Sequence, residues 1–368
     1  MLTSLRIQNF RSLRNLKVEG LTRVSLLVGA NNAGKTSVLE AAELVLAGEG
    51  PSVLERSPRR RGEGTYDEDR RAFDLNDRVN FSHLFFGHDI NQDTHFQIDA
   101  EAPEKRFFRS TVTTPSAQEV LAASADVIRG QPVDLPNGPR SILIESDQFD
   151  PVQVYLTGYG VRRGTLQGKG VPGKKVRPST SRVYFMETTS PEPSMLVNLW
   201  EKVVLTPEED RVADVLRIIE PNLERIAILP GDSSFESARI FIKLKQSDQR
   251  IPLGSMGEGI KRLMSLSLSL VNAAGGYLLV DEIDTGLHHS VMVKMWRLVT
   301  EAAKRLNVQV LATTHSLDCV RALASLYEDH RDLQDVISVH RLERGAERNI
   351  TYSADELLAS AEHQMEIR

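Results

Sequence analysis

Residues 24–48 read VSLLVGANNAGKTSVLEAAELVLAG, and this stretch decides the fold. It opens on a continuous apolar run that ends in glycine, the composition of a strand buried on both faces. It closes on Val38, Leu39, Ala42, Val45 and Leu46 at helical spacing, with Gly48 as a C-terminal stop. Between strand and helix, GANNAGKT (29–36) fits the pattern GxxxxGK[ST] without mismatch. Glycines in such a turn let backbone amides wrap a phosphate where a side chain would clash. The helix N-terminus adds partial positive charge. Lys35 is placed to reach β- and γ-phosphate oxygens, and the Thr36 hydroxyl to ligate Mg²⁺. Gly29, Asn31, Asn32, Ala33, Gly34 and Ser37 supply the rest of the turn, so ATP and Mg²⁺ are the expected ligands.

Far downstream, LLVDEIDTGLHH (278–289) puts Asp281 and Glu282 at the end of another apolar strand. In a phosphoryl-transfer site the first carboxylate holds Mg²⁺, and the second orients and deprotonates the attacking water. His315 ends a third strand in LATTHS and is a candidate to hydrogen-bond the γ-phosphate or the water. His288 and His289 are adjacent, do not face one way, and make a poor metal pair. Shortly before the acidic pair, GSMGEG (254–259) sets Ser255 and Gly257 at the start of a helix, where a hydroxyl and free amides form either an anion site or a plain cap.

The totals bound the rest. The 368 residues suffice for one sizeable core or two smaller ones, and 40% hydrophobic with 26% charged residues reads as a soluble globular chain. A formal net charge of -5 advertises no nucleic-acid binding as a whole, so any such contact must be local. Cys319 is the single cysteine, which excludes an internal disulfide and a cysteine-based zinc site. The N-terminus carries charge and passes straight into a strand pattern, unlike a signal peptide. No apolar run approaches the roughly 18 residues of a membrane helix. The expectation is a cytoplasmic protein without a membrane partner.

Along the chain, 4–10 and 13–19 alternate as paired strands, and HFQIDAE, RSILIES, RIAIL and ARIFIKLK read as further strands. TPEEDRVADVLRIIEP (206–221) is a capped helix, with Thr206, Pro207 and Glu209 at its start. A helix from Ser290 to about Leu306, another over 317–326, and an edge hairpin from VISVHRLER and NITYS complete the C-terminal part. Residues 50–80 are mixed-charge and poor in apolar side chains, so they read as an exposed, mobile insertion. Residues 157–182 form a Gly/Pro-rich loop with Arg162, Arg163, Lys169, Lys174, Lys175, Arg177 and Arg182 and no acidic residue. That loop contacts DNA or RNA phosphates over 162–182, is simply solvated, or meets a partner protein. The chain thus divides into a core of 1–48 and 236–368 and an inserted region of 49–235, whose helical part covers about 192–221. The fold class is α/β, a mixed central sheet flanked by helices, with an antiparallel N-terminal sheet and an inserted irregular lobe.

The order of phosphate loop, serine–glycine turn, Asp-Glu and histidine resembles the ABC-type ATPase heads. Ser255 and Gly257 match the serine and second glycine of that superfamily's signature, and Met256 departs from its usual first glycine. LRIQNFRSL, GANNAGKTSVLEA, DEIDTGLHHS and LATTHSLD look like the soluble group of the recombination protein RecF, the SMC heads and the OLD ATPases, most of all the small stand-alone OLD-like bacterial ATPases. The likeness covers roughly residues 1–48 and 236–350. It implies an ATP hydrolase whose head-to-tail homodimer sandwiches nucleotide, the signature of one subunit capping the γ-phosphate held by the other. It also implies Arg11 as a nucleotide-phosphate contact and the TGLHH turn as a route across the dimer. The output implied is anti-phage defence through a separately encoded effector such as a Toprim-type nuclease. The middle region is too short for the coiled coil of SMC heads. The chain ends without the acidic cluster of a Toprim domain, so no nuclease activity is expected of it alone. The likeness does not place the glutamine that couples nucleotide to the second lobe, and Gln92, Gln97 and Gln153 all stay open for it. Two other readings compete: a RecF-like DNA-repair clamp that uses the basic loop, and a ring-forming AAA+ motor, which the wide spacing between Lys35 and Asp281 disfavours.

Overall fold

The computed structural model describes residues 1–48, 50–67, 72–116, 140–156, 160–162, 182–189, 191–229, 239–245, 247–333 and 335–362. Its centre is a six-stranded sheet whose middle strands are the runs that read as apolar in the sequence. β3 (Val24–Val28), β15 (Tyr277–Val280) and β16 (Gln309–Thr313) are buried at every position. Strands covered on both faces cannot alternate polar and apolar, and these do not. With β11 (Val183–Met186), β17 (Ile337–Arg341) and β18 (Ile350–Tyr352) the order is β11-β15-β16-β3-β17-β18. All neighbours are parallel except the closing β17–β18 hairpin. The phosphate-type turn, the acidic pair and His315 therefore leave adjacent strands at one edge of the sheet, where ligands of parallel sheets bind.

α1 (Lys35–Leu46) lies between this sheet and a second, antiparallel one, and only Thr36 of its twelve residues is not buried. The second sheet has the order β2-β1-β6-β7-β8-β9, from β1 (Ser4–Phe10), β2 (Leu13–Glu19), β6 (His95–Glu101), β7 (Arg106–Thr113), β8 (Ser141–Ser146) and β9 (Phe149–Tyr155). Its core carries Phe10, Phe96 and Phe108, with centroids 5.1 Å and 6.2 Å apart in sequence order. The other face of the central sheet packs against α3 (Pro193–Trp200), α4 (Pro207–Leu216), α5 (Glu258–Asn272), α6 (His289–Arg305), α7 (Leu317–Asp329) and α8 (Ala354–Glu362). Two small antiparallel sheets complete the described chain: β4 (Gly64–Asp67), β5 (Ala72–Asn80) and β10 (Gly160–Arg162), and β12 (Leu223–Leu229), β13 (Arg239–Leu244) and β14 (Ile251–Pro252). α4 begins as the sequence says: the Thr206 hydroxyl accepts from the Glu208 amide, and the Leu205 amide donates to Glu209 at 2.7 Å.

Two expectations need correction. Residues 50–80 are not an exposed strip where they are described. Pro51–Glu55 and α2 (Arg56–Arg60) bury Val53 and Leu54 to 1% and 0% exposure. The cause lies in α1, whose Glu40 and Glu43 are 1% and 3% exposed. Carboxylates buried that deeply require cations. Arg61 pairs with Glu40 at 2.7 Å, Arg56 with Glu43 at 3.6 Å, and Arg60 also with Glu43. The mixed charge of the stretch is thus the counter-charge of α1. The second correction concerns the core, drawn from sequence as 1–48 and 236–368. β11 joins the central sheet and β6–β9 extend the N-terminal sheet, so residues 49–235 supply structure to both. Arg163, Lys169, Lys174, Lys175 and Arg177 of the basic loop lie outside the described residues, as does the side chain of Arg162.

His340 on β17 is buried, and its tautomer is fixed. Asn349 Oδ1 accepts from the Glu19 amide at 2.9 Å, so its Nδ2 donates to His340 Nδ1 at 2.9 Å, and His340 Nε2 donates to Ser338 Oγ at 2.8 Å. Burial lowers this imidazole from 6.5 to about 4. A depressed folded-state value means stability is complete above pH 6.5 and lost as pH falls through about 4. We predict that urea denaturation at pH 4.5 and pH 7 differs by about 2 to 3 kcal/mol through this group. His340→Gln should shrink that difference by the same amount. An unchanged pH dependence in the variant would contradict the assignment.

Candidate active site

The turn between β3 and α1 admits no side chain at its two outer glycines. A Cβ on Gly29 would lie 2.4 Å from the Leu342 carbonyl oxygen, and one on Gly34, at φ +94°, would lie 2.6 Å from Leu13 Cδ2. Lys35, 6% exposed, donates from Nζ to the carbonyl oxygens of Gly29 at 2.8 Å and Ala30 at 3.2 Å. Burial holds its ammonium below the ordinary value, against the opposing pull of Glu282 and Asp281. A cation strapped to its own loop by two neutral carbonyls is ready to exchange them for phosphate oxygens, which are charged acceptors.

Asp281 is fixed from three directions. Its carboxylate accepts from the hydroxyls of Thr36 at 3.0 Å, Thr313 at 2.7 Å and Thr188 at 3.3 Å. Thr36 and Asp281 form an oxygen pair of the kind that Mg²⁺ takes, and its hard-cation chemistry suits these donors. Thr313 also accepts from the Glu282 amide at 2.8 Å. Glu282 sits in the left-handed region at φ +49°, uncommon for a residue with a side chain. Its Oε2 accepts from the His315 amide at 3.2 Å and from His315 Nδ1 at 2.7 Å, so the ring hydrogen is on Nδ1. Glu282, Lys35 and Thr36 thereby come within one constellation, with His315 orienting the carboxylate.

A cavity of about 480 Å³ opens over this edge. Asn31, Asn32, Ala33, Gly34, Lys35, Thr36, Ser37 and Glu282 line it, together with Arg11, Ser12, Arg61, Glu63, His83 and His88. Arg11 therefore reaches the cavity, but its guanidinium is engaged by Glu40 at 2.5 Å, Glu63 at 2.8 Å and Ser57 at 2.5 Å. His83 and His88, whose Nδ1 atoms are 3.2 Å apart, carried no sequence signal. Ser255 and Gly257 are not in this cavity; both are exposed at the start of α5. Gly286 of the TGLHH turn packs close to Glu258, so that turn touches the same helix. His288 caps α6 through the Ser290 amide.

None of the three candidate glutamines lines this cavity. Gln97 is held by Asp99 and Arg109 on β6–β7, Gln153 on β9 donates to Ser141 of β8, and Gln92 is exposed in a loop. Instead β11, paired with β15, delivers Glu187 and Thr188 beside Asp281. Burial raises the Glu187 carboxyl, opposed by Arg60 and reinforced by Glu43 and Asp281.

Arg262 of α5 is the residue the sequence reading missed. It is 1% exposed and donates to the carbonyl oxygens of Glu187 at 2.6 Å, Asp281 at 2.8 Å and Glu282 at 2.7 Å. Desolvation lowers it from 12.5 to about 10, with nearby acids opposing. An arginine on the apolar face of a helix, among Ile260, Leu263 and Met264, was the available signal. We predict that Arg262→Met, which leaves these carbonyls without donors, costs about 2 to 4 kcal/mol in urea denaturation. It should also lower kcat for ATP at least about tenfold, with a smaller change in nucleotide Kd. Unchanged kcat would separate Arg262 from the site.

Comparison with known proteins gives the family and the fold. A family model described as "AAA domain, putative AbiEii toxin, Type IV TA system" matches residues 24–319. Over 337 residues the chain is 23% identical to the ATP/GTP phosphatase of Helicobacter pylori, covering 88% of this chain and 87% of that protein. The crystal structure of an SMC head bound to the C-winged helix domain of ScpA superposes with a TM-score of 0.50 at 12% identity, covering 97% of this chain and 99% of that one. That likeness is one of fold, an α/β head with mixed and antiparallel sheets flanked by helices. With a P-loop, an acidic strand end and a match over 24–319, the chain belongs to the family described as "AAA domain, putative AbiEii toxin, Type IV TA system" and is an ATPase.

Proposed function

We propose that the chain is an ATP-driven switch that closes as a head-to-tail homodimer around two nucleotides. The observation that carries this reading is the separation of the two anion-binding elements. Lys35 and its turn line the cavity, whereas Ser255 and Gly257 stand exposed outside it at a helix N-terminus. A two-fold partner can bring its own Ser255 to the γ-phosphate in trans, and a self-complementary dimer does so twice.

Within each site, Lys35 leaves the Gly29 and Ala30 carbonyls for the β- and γ-phosphate oxygens. Thr36 and Asp281 would hold Mg²⁺, which when bound neutralises charge on the β- and γ-oxygens. Glu282 accepts the proton of the attacking water, and the His315 contact keeps its carboxylate aimed. The Lys35 ammonium balances charge developing on the transferred phosphoryl group. Arg11 joins the phosphates only by giving up part of its Glu40 and Glu63 pairing, so its contact depends on the closed state.

The switch would act in the cytoplasm on a separately encoded effector, such as a Toprim-type nuclease, in anti-phage defence. The likeness of the motifs to the small OLD-like ATPases supports that output, and the family description names a toxin system. Among the described residues no helix is long and apolar enough to cross a membrane.

Light scattering on Glu282→Gln tests the reading. Removing the base while keeping the binding groups should trap the closed form, so that ATP–Mg²⁺ doubles the solution mass. Adding Ser255→Arg should abolish the shift. A mass indifferent to ATP, or a shift that survives Ser255→Arg, would contradict capping in trans.

A further inference from the structure

Most buried or half-buried arginines among the described residues have carboxylates, as Arg11, Arg56 and Arg60 do. Arg23 and Arg106 do not, and they line one cavity of about 310 Å³. It lies at the opposite end of the central sheet from the nucleotide turn. Arg23 immediately precedes β3, and Tyr277 and Gln309 open β15 and β16. Arg106 opens β7 of the second sheet, so both sheets contribute a wall. Arg23 donates to Asn307 Oδ1 at 2.8 Å and weakly to the Val308 carbonyl at 3.5 Å, and Arg106 donates to the Leu46 carbonyl at 3.3 Å. These are neutral acceptors, and neither guanidinium forms an ion pair among the described residues. Glu104 also lines the cavity but is exposed and joins no ion pair among the described residues.

Two groups report the field inside. The Met1 amino group is held below its ordinary value, first by burial and then by Arg23 and Arg106, so both charges act on one point. Tyr277 is 7% exposed, faces the cavity, and its hydroxyl makes no hydrogen bond with a described residue. The hydroxyl is not among the buried atoms left without a partner; it opens on the cavity and is free to donate to a ligand there.

We propose that this cavity binds a phosphate group carried by a small molecule, held by the guanidinium groups of Arg23 and Arg106 and the hydroxyl of Tyr277. A phosphate monoester matches two guanidinium charges, and its several oxygens accept from both forks and the hydroxyl at once. A carboxylate leaves one charge unbalanced. The space is about ten times the roughly 30 Å³ share of one water, so it takes the group attached to the phosphate as well. Because the site stands apart from Lys35, it is independent of the nucleotide reading.

Calorimetry with inorganic phosphate and glycerol 3-phosphate at constant ionic strength tests the site, in a Lys35→Ala background that silences the nucleotide turn. The expected result is saturable binding, tighter for glycerol 3-phosphate, and weakened about tenfold by Arg23→Gln and by Arg106→Gln, the worth of a charged hydrogen bond. Tyr277→Phe should weaken it severalfold. In the otherwise wild-type chain, Arg23→Gln should leave ATP turnover within about twofold, which shows that the fold persists. No saturable binding, or binding that survives both arginine substitutions, overturns the proposal. Binding of a short single-stranded oligonucleotide in preference to both probes, lost with the same substitutions, overturns its small-molecule form.

Discussion

The carboxylate of Asp281 ties three separate segments of chain to one point. Hydroxyls from α1, from the end of β11 and from the end of β16 all converge on it. None of these segments is near another in sequence, and each hydroxyl is aimed only because its strand or helix is in register with β15. A shift of one residue in a strand would turn the side chain to the other face of the sheet and dissolve the arrangement. The parallel sheet is therefore the instrument that sets the chemistry, and its continuous burial is what holds the register.

Around that point charge is neutralised in layers. Glu40 and Glu43, buried on α1, draw in Arg11, Arg56, Arg60 and Arg61, and so pull a strongly charged stretch of chain down onto the helix. Arg262 works differently, because it pairs with carbonyls rather than with a carboxylate. A buried guanidinium without its own acid is expensive, and here dipoles and the acids beyond them offset the cost. Its position on α5 links the exposed Ser255–Gly257 turn to the backbone of the acidic pair by one helix. The left-handed backbone of Glu282 sits where those constraints meet.

Much of this was legible in the sequence because it is local. The turn 29–36, the buried strands and the capped helix at Thr206 each depend on residues within a few positions of one another. What was not legible depends on pairing across the chain. The charged stretch after residue 50 looked solvated because its partners, Glu40 and Glu43, are in a helix whose burial no local window reveals. Glu187 and Thr188 escaped notice because β11 is four residues long and its place beside β15 is a matter of topology. Residue type alone does not place a glutamine, and Gln97 and Gln153 lie on β6 and β9 of the antiparallel sheet. Arg262 was visible as an oddity, a cation on an apolar helix face, but its meaning required the ends of two strands.

The proposed composite site is tested most directly by complementation between two inactive chains. Lys35→Ala removes the phosphate-binding ammonium of a chain, and Ser255→Arg blocks its contribution to the partner. Each alone should hydrolyse ATP negligibly. In an equal mixture, half of the dimers are mixed and each holds one intact site of two, so turnover should return to about one quarter of the wild-type rate. No recovery on mixing, or full turnover by Ser255→Arg alone, would contradict a site shared between two copies of this chain.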